Sequence, residues 1–350
     1  MRHAELQLTT LGVNDEASYT AWLSAHTQAL FYHSLPFLHM IAALTHATLS
    51  IYLARISDGK ICGALPVLTR EGVYGAALNS LPYYGSHGGV IYDTPEAATL
   101  LMAHWNALSH APGVASATMI ENLRDNAGYA AQASHELSDI RIGQLTDIAC
   151  DTNHAATLMQ RYHSKTRNMV RKAEKQGFGV SIENDAFDFL YNTHLENMQV
   201  IGGTAKSPAF FEAVAKHFVA GKDYNIWVAR HNNVPIAAML LFYFSDMVEY
   251  FTPVIVEQWR EAQPLSLLIY HAMIAASQAG YKQWNWGGTW VNQEGVYHFK
   301  KRWGAEDRRY HYYTHIQNPA LYTTTPAELL QHYPGFFMLP FSALKTLASA

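Results

Sequence analysis

Residues 51–68 read IYLARISDGKICGALPVL, and about 175 residues later 226–243 read IWVARHNNVPIAAMLLFY. The two stretches align without a gap. Each has an aromatic second residue, an Ala-Arg pair (Ala54-Arg55 and Ala229-Arg230), a turn-like tetrad and an apolar run that opens on Ile. The tetrads are Ser57-Asp58-Gly59-Lys60 and Asn232-Asn233-Val234-Pro235. β-Rich runs on either side of a polar turn predict a hairpin in each place. The flanks repeat as well. His33-Ser34-Leu35-Pro36-Phe37-Leu38 and Lys206-Ser207-Pro208-Ala209-Phe210-Phe211 each precede an apolar helix that feeds its hairpin. Downstream, a strand, a loop, a helix and a short strand follow in both halves, at 73–81, 83–89, 95–110 and 115–120, then at 247–256, 257–263, 264–279 and 281–286. Two copies are too few for a solenoid, whose units need stacked neighbours. The pattern predicts two α/β domains of one design, each a mixed twisted sheet flanked by helices, arisen by duplication. The first is expected at residues 1–150, with 310–350 packing back on it, and the second at 151–309.

Composition narrows the function classes. A formal charge of −4 argues against a broad nucleic-acid surface and against DNA as a partner. Two cysteines make neither a disulfide framework nor a metal set. Residues 1–20 lack a signal-peptide core, and the longest clean apolar run, 236–244, is far shorter than the roughly 20 residues of a membrane span. A protein of the reducing cytoplasm is expected. Its one strongly basic stretch lies between the halves, at 153–177, where Asn153 suits a helix N-cap and Gly177 a C-terminal stop. Lys165, Arg167, Arg171, Lys172 and Lys175 charge that helix, and Arg167 and Arg171, one turn apart, can form a fork for phosphate groups.

Four segments, in this order, resemble the FemAB-type branch of the GNAT acyltransferase superfamily. They are NSLPYYGSHGG (79–89), RNMVRKAEKQG (167–177), NWGGT (285–289) and GVYHFKKRWG (295–304). The resemblance implies two tandem GNAT-like domains. It also implies transfer of an acyl or aminoacyl group to an amine, with acyl-CoA narrowly ahead of aminoacyl-tRNA as donor. The acceptor would be a small-molecule amine or a sugar-linked one in envelope-polysaccharide or peptidoglycan-precursor synthesis. The sequence departs from the superfamily in one loop. Where ordinary GNAT enzymes carry Q/R-x-x-G-x-G/A to cradle the CoA pyrophosphate, this chain has Gln258-Trp259-Arg260-Glu261-Ala262-Gln263, without glycine. The long antiparallel helical arm of some peptidoglycan aminoacyltransferases is also missing from the pattern.

The resemblance assigns Lys300 beside the transferred carbonyl, where an ammonium would stabilise the oxyanion. Tyr297, three residues earlier, shares its face if the segment is helical, and is a candidate proton donor. Glu249 and Tyr250 lie on a strand, so only one of them faces the site, and Tyr250 is the preferred residue. Gly287 and Gly288 are expected to end the last strand, free its amides and admit a ligand chain, with Trp286 and Thr289 alongside. Trp290 and Trp303 can wall the same site or pack in the core. In the first half, Tyr83, Tyr84, Ser86, His87, Gly88 and Gly89 suit a phosphate or sugar ring. Nineteen histidines invite a metal, but His311 and His315 lack a third ligand, so none is expected. The competing expectation is a ligand-binding module on the duplicated fold that performs no chemistry.

Overall fold

The computed structural model describes residues 6–81 and 87–344. The chain divides into two compact units: Met1–Ile142 together with Arg309–Ala350, and Gly143–Arg308. In chain order the first unit contains β1 (Gln7–Thr10), α1 (Glu16–Ala25), α2 (Leu35–Thr45), β2 (Thr48–Arg55), β3 (Ile61–Arg70), β4 (Ala76–Asn79), β5 (Ile91–Tyr92), α3 (Pro95–Ser109) and β6 (Val114–Ile120). The chain leaves this unit within β7 (Leu137–Asp147). The second unit then builds α4 (His154–Arg161), α5 (Ser164–Glu174), β8 (Gly179–Ile182), α6 (Phe187–Ile201), α7 (Pro208–His217), β9 (Tyr224–His231), β10 (Val234–Phe244), β11 (Met247–Ile255), α8 (Pro264–Gln278), β12 (Gln283–Trp290) and α9 (Glu294–Lys301). Within β13 (Glu306–Ile316) the chain returns to the first unit, which it completes with α10 (Pro326–His332).

The strand orders repeat. In the first unit the order is β1-β2-β3-β4-β6-β13, with β5 also on β3, and in the second β8-β9-β10-β11-β12. Antiparallel hairpins (β2–β3 and β9–β10) lie next to an antiparallel third strand, which pairs in parallel with the strand after the long helix. The matching helices α3 and α8 both open with Pro at the first position, where the missing N–H would have had no partner anyway. Each is packed into a core. Leu101, Met102 and Trp105 of α3 meet Leu65, Leu78 and Met119, whereas Leu268, Ala272 and Met273 of α8 meet Met239, Val248 and Trp284.

The repeated Ala-Arg pair has a job that the structure makes visible. Arg55 Nη1 donates to the Gly59 carbonyl at 2.7 Å, and Arg230 Nη1 to the Asn233 carbonyl at 2.5 Å, so each arginine clamps the turn of its own hairpin. A carboxylate holds each from outside, Asp15 at 3.1 Å and Glu183 at 2.6 Å. The second turn is shorter than the expected tetrad. His231 pairs with Val234, leaving Asn232 and Asn233 at φ 48° and 65°, the left-handed pair of a two-residue hairpin that asparagine tolerates well.

Two further expectations are corrected. The basic segment is broken between α4 and α5, because the Tyr162 ring turns into the core against Trp303 and His163 Nδ1 caps α5 through the Lys165 N–H. The last strand of the second unit does not stop at the glycine pair. β12 runs through Gly287 and Gly288 to Trp290.

Candidate functional site

β11 and β12 are paired at Met247↔Gln283, Val248↔Trp284 and Glu249↔Asn285, and there the ladder stops. β11 runs on to Ile255 and β12 to Trp290, so two neighbouring strands part midway. The cause lies on the far side of β11. Its register with β10 skips Phe251, since Leu241 faces Tyr250 and Leu240 faces Thr252. A bulge of this kind bends its strand and increases the twist. It comes directly after the last pair with β12. Further along, the carboxamide of Asn197 on α6 takes the Ile255 N–H at 3.0 Å and donates to the Ile255 carbonyl at 2.8 Å. The far end of the vacated edge is thus satisfied by a side chain instead of a strand.

Alternation sorts the lining. Val248, Trp284 and Trp286 belong to the core under α8, and the Tyr250 ring joins them at 4.9 Å from that of Trp286. Burial pushes the Tyr250 hydroxyl pKa well up, so it is a neutral donor across the working range. Glu249 and Asn285, on the opposite face, are almost wholly buried, and the Asn285 Nδ2 donates to Glu249 Oε1 at 3.1 Å. Asn285 Oδ1 accepts the Gly287 N–H at 2.9 Å. Gly287 has φ +72°, a conformation that side chains other than glycine rarely take.

Lys300, on α9, is buried at 6% exposure. Its ammonium donates to Thr289 Oγ1 at 2.7 Å and to the carbonyls of Gly288 at 3.2 Å and Gly287 at 3.4 Å. Three donors meet three acceptors, all on the parted end of β12. Burial pulls the Lys300 pKa down to about 8. α9 is helical, so Tyr297 and Lys300 are one turn apart, but the Tyr297 hydroxyl donates to Asp307 at 2.8 Å, which raises its pKa. Trp286 and Trp303 are buried, the first with its Nε1 donating to Thr146 Oγ1 at 2.9 Å, whereas Trp290 is 48% exposed.

The loop that would cradle a pyrophosphate is closed on itself. Residues Glu257–Ala262 wind into a 3-10 turn in which Arg260 pairs with Glu257. Gln263, at φ +65°, spends its side chain on the Arg260 carbonyl and on Ser266 Oγ. At the start of α8, Pro264 has no N–H, and the N–H groups of Ser266 and Leu267 both go to the Gln263 carbonyl. An anion at a helix start needs free amides, and little of that resource is left here.

Sequence reasoning missed Lys206. It stands in the turn before α7, with its own N–H bonded to His194 Nε2 at 3.0 Å. Its ammonium lies 5.3 Å from the ring centre of Phe251, the bulge residue, and 5.9 Å from that of Phe210. It forms no ion pair among the described residues, and burial draws its pKa down to about 8. Burial and the Lys206 charge hold His194 neutral, with a pKa near 4. Lys206-Ser207-Pro208 reads in sequence as an ordinary helix start, and only the bulge at Phe251 gives the cation an address.

The remaining sequence candidates are placed as follows. Arg167 turns back on its own helix, Nη1 to the Tyr162 carbonyl at 2.5 Å, filling the acceptor left by the helix break, while Arg171 is exposed. Tyr83, Tyr84 and Ser86 lie outside the described residues. His87 is fully buried, edge-on to Tyr32 and Tyr310 with ring centres 5.7 and 4.6 Å away. Gly88 and Gly89 pack so tightly that a Cβ would come within 2.2 Å of Leu81 and 2.4 Å of the Ile120 carbonyl. His311 and His315 lie on a strand, bonded to Glu121 at 2.9 Å and Glu136 at 2.7 Å, and no group of three or more metal-ligating side chains occurs among the described residues. No helix there is long and apolar enough to cross a membrane.

Comparison with known proteins bears on the fold. Residues 160–301 match the Acetyltransferase (GNAT) domain family. No curated protein matches the sequence. Among solved structures, FemX superposes with a TM-score of 0.69 at 14% identity, over 90% of this chain and 98% of its own. The C-terminal domain of a putative lysylphosphatidylglycerol synthetase from Agrobacterium fabrum gives 0.57 at 12% identity, covering 93% and 99%. A tandem GNAT protein from the clavulanic acid biosynthesis pathway gives 0.51 at 14%, covering 90% and 99%.

Proposed function

We propose that this chain, which carries a GNAT domain at residues 160–301 and shares its fold with FemX and a tandem GNAT protein, is a FemAB-like acyltransferase that moves an acyl or aminoacyl group onto the amine of an amino sugar, amino acid or peptide. The observation that carries this reading is the parting of β11 from β12 beside a buried lysine. The donor's carbonyl arm enters between the strands. The neutral amine attacks the carbonyl carbon, a C–N bond forms, and the oxygen takes the negative charge. Lys300 meets that charge by giving up its longest contact, the 3.4 Å bond to Gly287. The intermediate collapses, the bond to the leaving sulfur or oxygen breaks, and the nitrogen's surplus proton passes to the departing group. Tyr250 is the remaining candidate for that relay, because Tyr297 is committed to Asp307. Lys206 anchors a phosphate or carboxylate of the acceptor. An anionic, sugar-linked acceptor of cell-envelope synthesis fits such an anchor, and the expected compartment is the cytoplasm.

The closed 3-10 turn before α8 favours aminoacyl-tRNA over acyl-CoA as donor, since it offers a CoA diphosphate few amides. The exposed cations Lys165, Arg171, Lys172 and Lys175 on or just beyond α5 would then meet the tRNA backbone. Purified protein given an amine acceptor with either acyl-CoAs or charged tRNA tests the choice. Ribonuclease abolishes transfer if tRNA is the donor, and release of free thiol identifies CoA. Binding without turnover of either donor would make the protein a ligand-binding module on a duplicated GNAT fold.

A further inference from the structure

We propose that Glu249 and Asn285 are positioning residues for Lys300, acting through the peptide of Gly287. The inference rests on the catalytic reading of Lys300 but is testable apart from it. Three links make the relay. Glu249 and Asn285 are the last pair before the strands part, and their almost wholly buried side chains meet at 3.1 Å. Asn285 then bonds the Gly287 N–H at 2.9 Å, two residues along. That bond fixes a φ of +72°, and the carbonyls of Gly287 and Gly288 face the Lys300 ammonium.

The carboxamide is suited to the middle place. The Gly287 N–H can only donate and the Glu249 Oε1 accepts, so the link must accept at one end and donate at the other. A Cβ on Gly287 would meet open space, so glycine is required there for its backbone angle and not for want of room. The Lys300 ammonium has three acceptors, and two of them are carbonyls of the Gly287-Gly288 segment that the Asn285 bond anchors. Cutting the relay therefore moves the ammonium without touching it.

The test compares Asn285→Ala, Glu249→Ala and Glu249→Gln. Glu249→Gln keeps an oxygen for the Asn285 amide. Two readouts are taken: kcat and KM for amine acylation, and the titration of Lys300 followed by NMR of 15Nζ-labelled lysine, assigned with Lys300→Arg. Asn285→Ala and Glu249→Ala are expected to shift the Lys300 titration and to lower kcat on the order of ten- to a hundredfold, with acceptor KM little changed. Glu249→Gln restores most of the rate and the wild-type titration. If the alanine variants lose thermal stability while Lys300 titrates as in the wild type, the pair is merely structural and the inference fails. If Lys300→Ala keeps its rate, the catalytic reading of Lys300 fails, whereas the NMR coupling between Asn285 and Lys300 still decides the relay.

Discussion

The first unit has the same two strands as the second and keeps them shut. β4 and β6 pair from Ala76↔Val114 to Asn79↔Thr118, and the closure continues past the end of β4. Ser80 gives its N–H to the Thr118 carbonyl at 3.0 Å and takes the Ile120 N–H on its hydroxyl at 2.9 Å. Asn79 then grips the returning chain, bonding the N–H and the carbonyl of Phe337 at 2.9 Å each. In the second unit β11 and β12 separate after Glu249 and Asn285, and the comparable carboxamide grip, Asn197 on Ile255, braces the edge of the gap instead of filling it. One design therefore yields a zipped seam and an open one, and the difference lies in a bulge at Phe251 and a few side chains. Chemistry is expected at the open seam.

That contrast can be broken by measurement. The largest effect is expected at Lys300. Lys300→Ala should lower kcat about a hundredfold or more, with the unfolding transition retained. The same residue sets the pH dependence. With its pKa drawn down to about 8, the ammonium is present below that value and lost above it, so kcat should fall as pH rises through 8. The permanently charged Lys300→Arg should remove that fall. Next comes the zipped seam, where Asn79→Ala leaves two backbone groups of Phe337 without partners and should cost about 2 kcal/mol in urea unfolding, with kcat unaltered. A loss of transfer activity in this stably folded variant would place chemistry in the first unit and overturn the contrast. Lys206→Met should then raise KM for an anionic acceptor about tenfold with kcat held, and the wild-type KM should itself climb as pH passes 8 and Lys206 loses its proton. The smallest effect is expected from Thr252→Val. The Thr252 hydroxyl is buried without a partner, so stability should change by less than about 0.5 kcal/mol. A large rise in acceptor KM in this variant would show that the hydroxyl binds ligand.

The duplication was legible because a hairpin needs alternating apolar residues and a turn, and both leave a mark in composition. The Ala-Arg pair was visible too, although its use as a turn clamp was not, since a guanidinium reaching the Gly59 or Asn233 carbonyl has no sequence signal beyond the arginine. Lys300 and the glycine pair were read from resemblance, and the structure brings them within hydrogen-bonding distance. The sequence assigns no role to Lys206, or to Asn285 within the NWGGT segment. Their roles depend on where a strand bulges and where a ladder stops, and those are properties of register, which is fixed by packing on both faces at once. Helical spacing permits an Arg167–Arg171 fork, yet Arg167 answers to a helix break that the Tyr162 ring dictates from the core.

The chain enters the second unit within β7 and leaves it within β13, so one unit is inserted inside the other. On a ribosome the inserted unit is therefore completed first, while the earlier one still waits for β13 to close against β6 at Tyr312↔Ile120. Until that strand emerges, β6 has a bare edge that a neighbouring nascent chain can pair with. Shortening the chain from its carboxyl end should thus harm the amino-terminal unit long before it reaches the seam where the chemistry is expected.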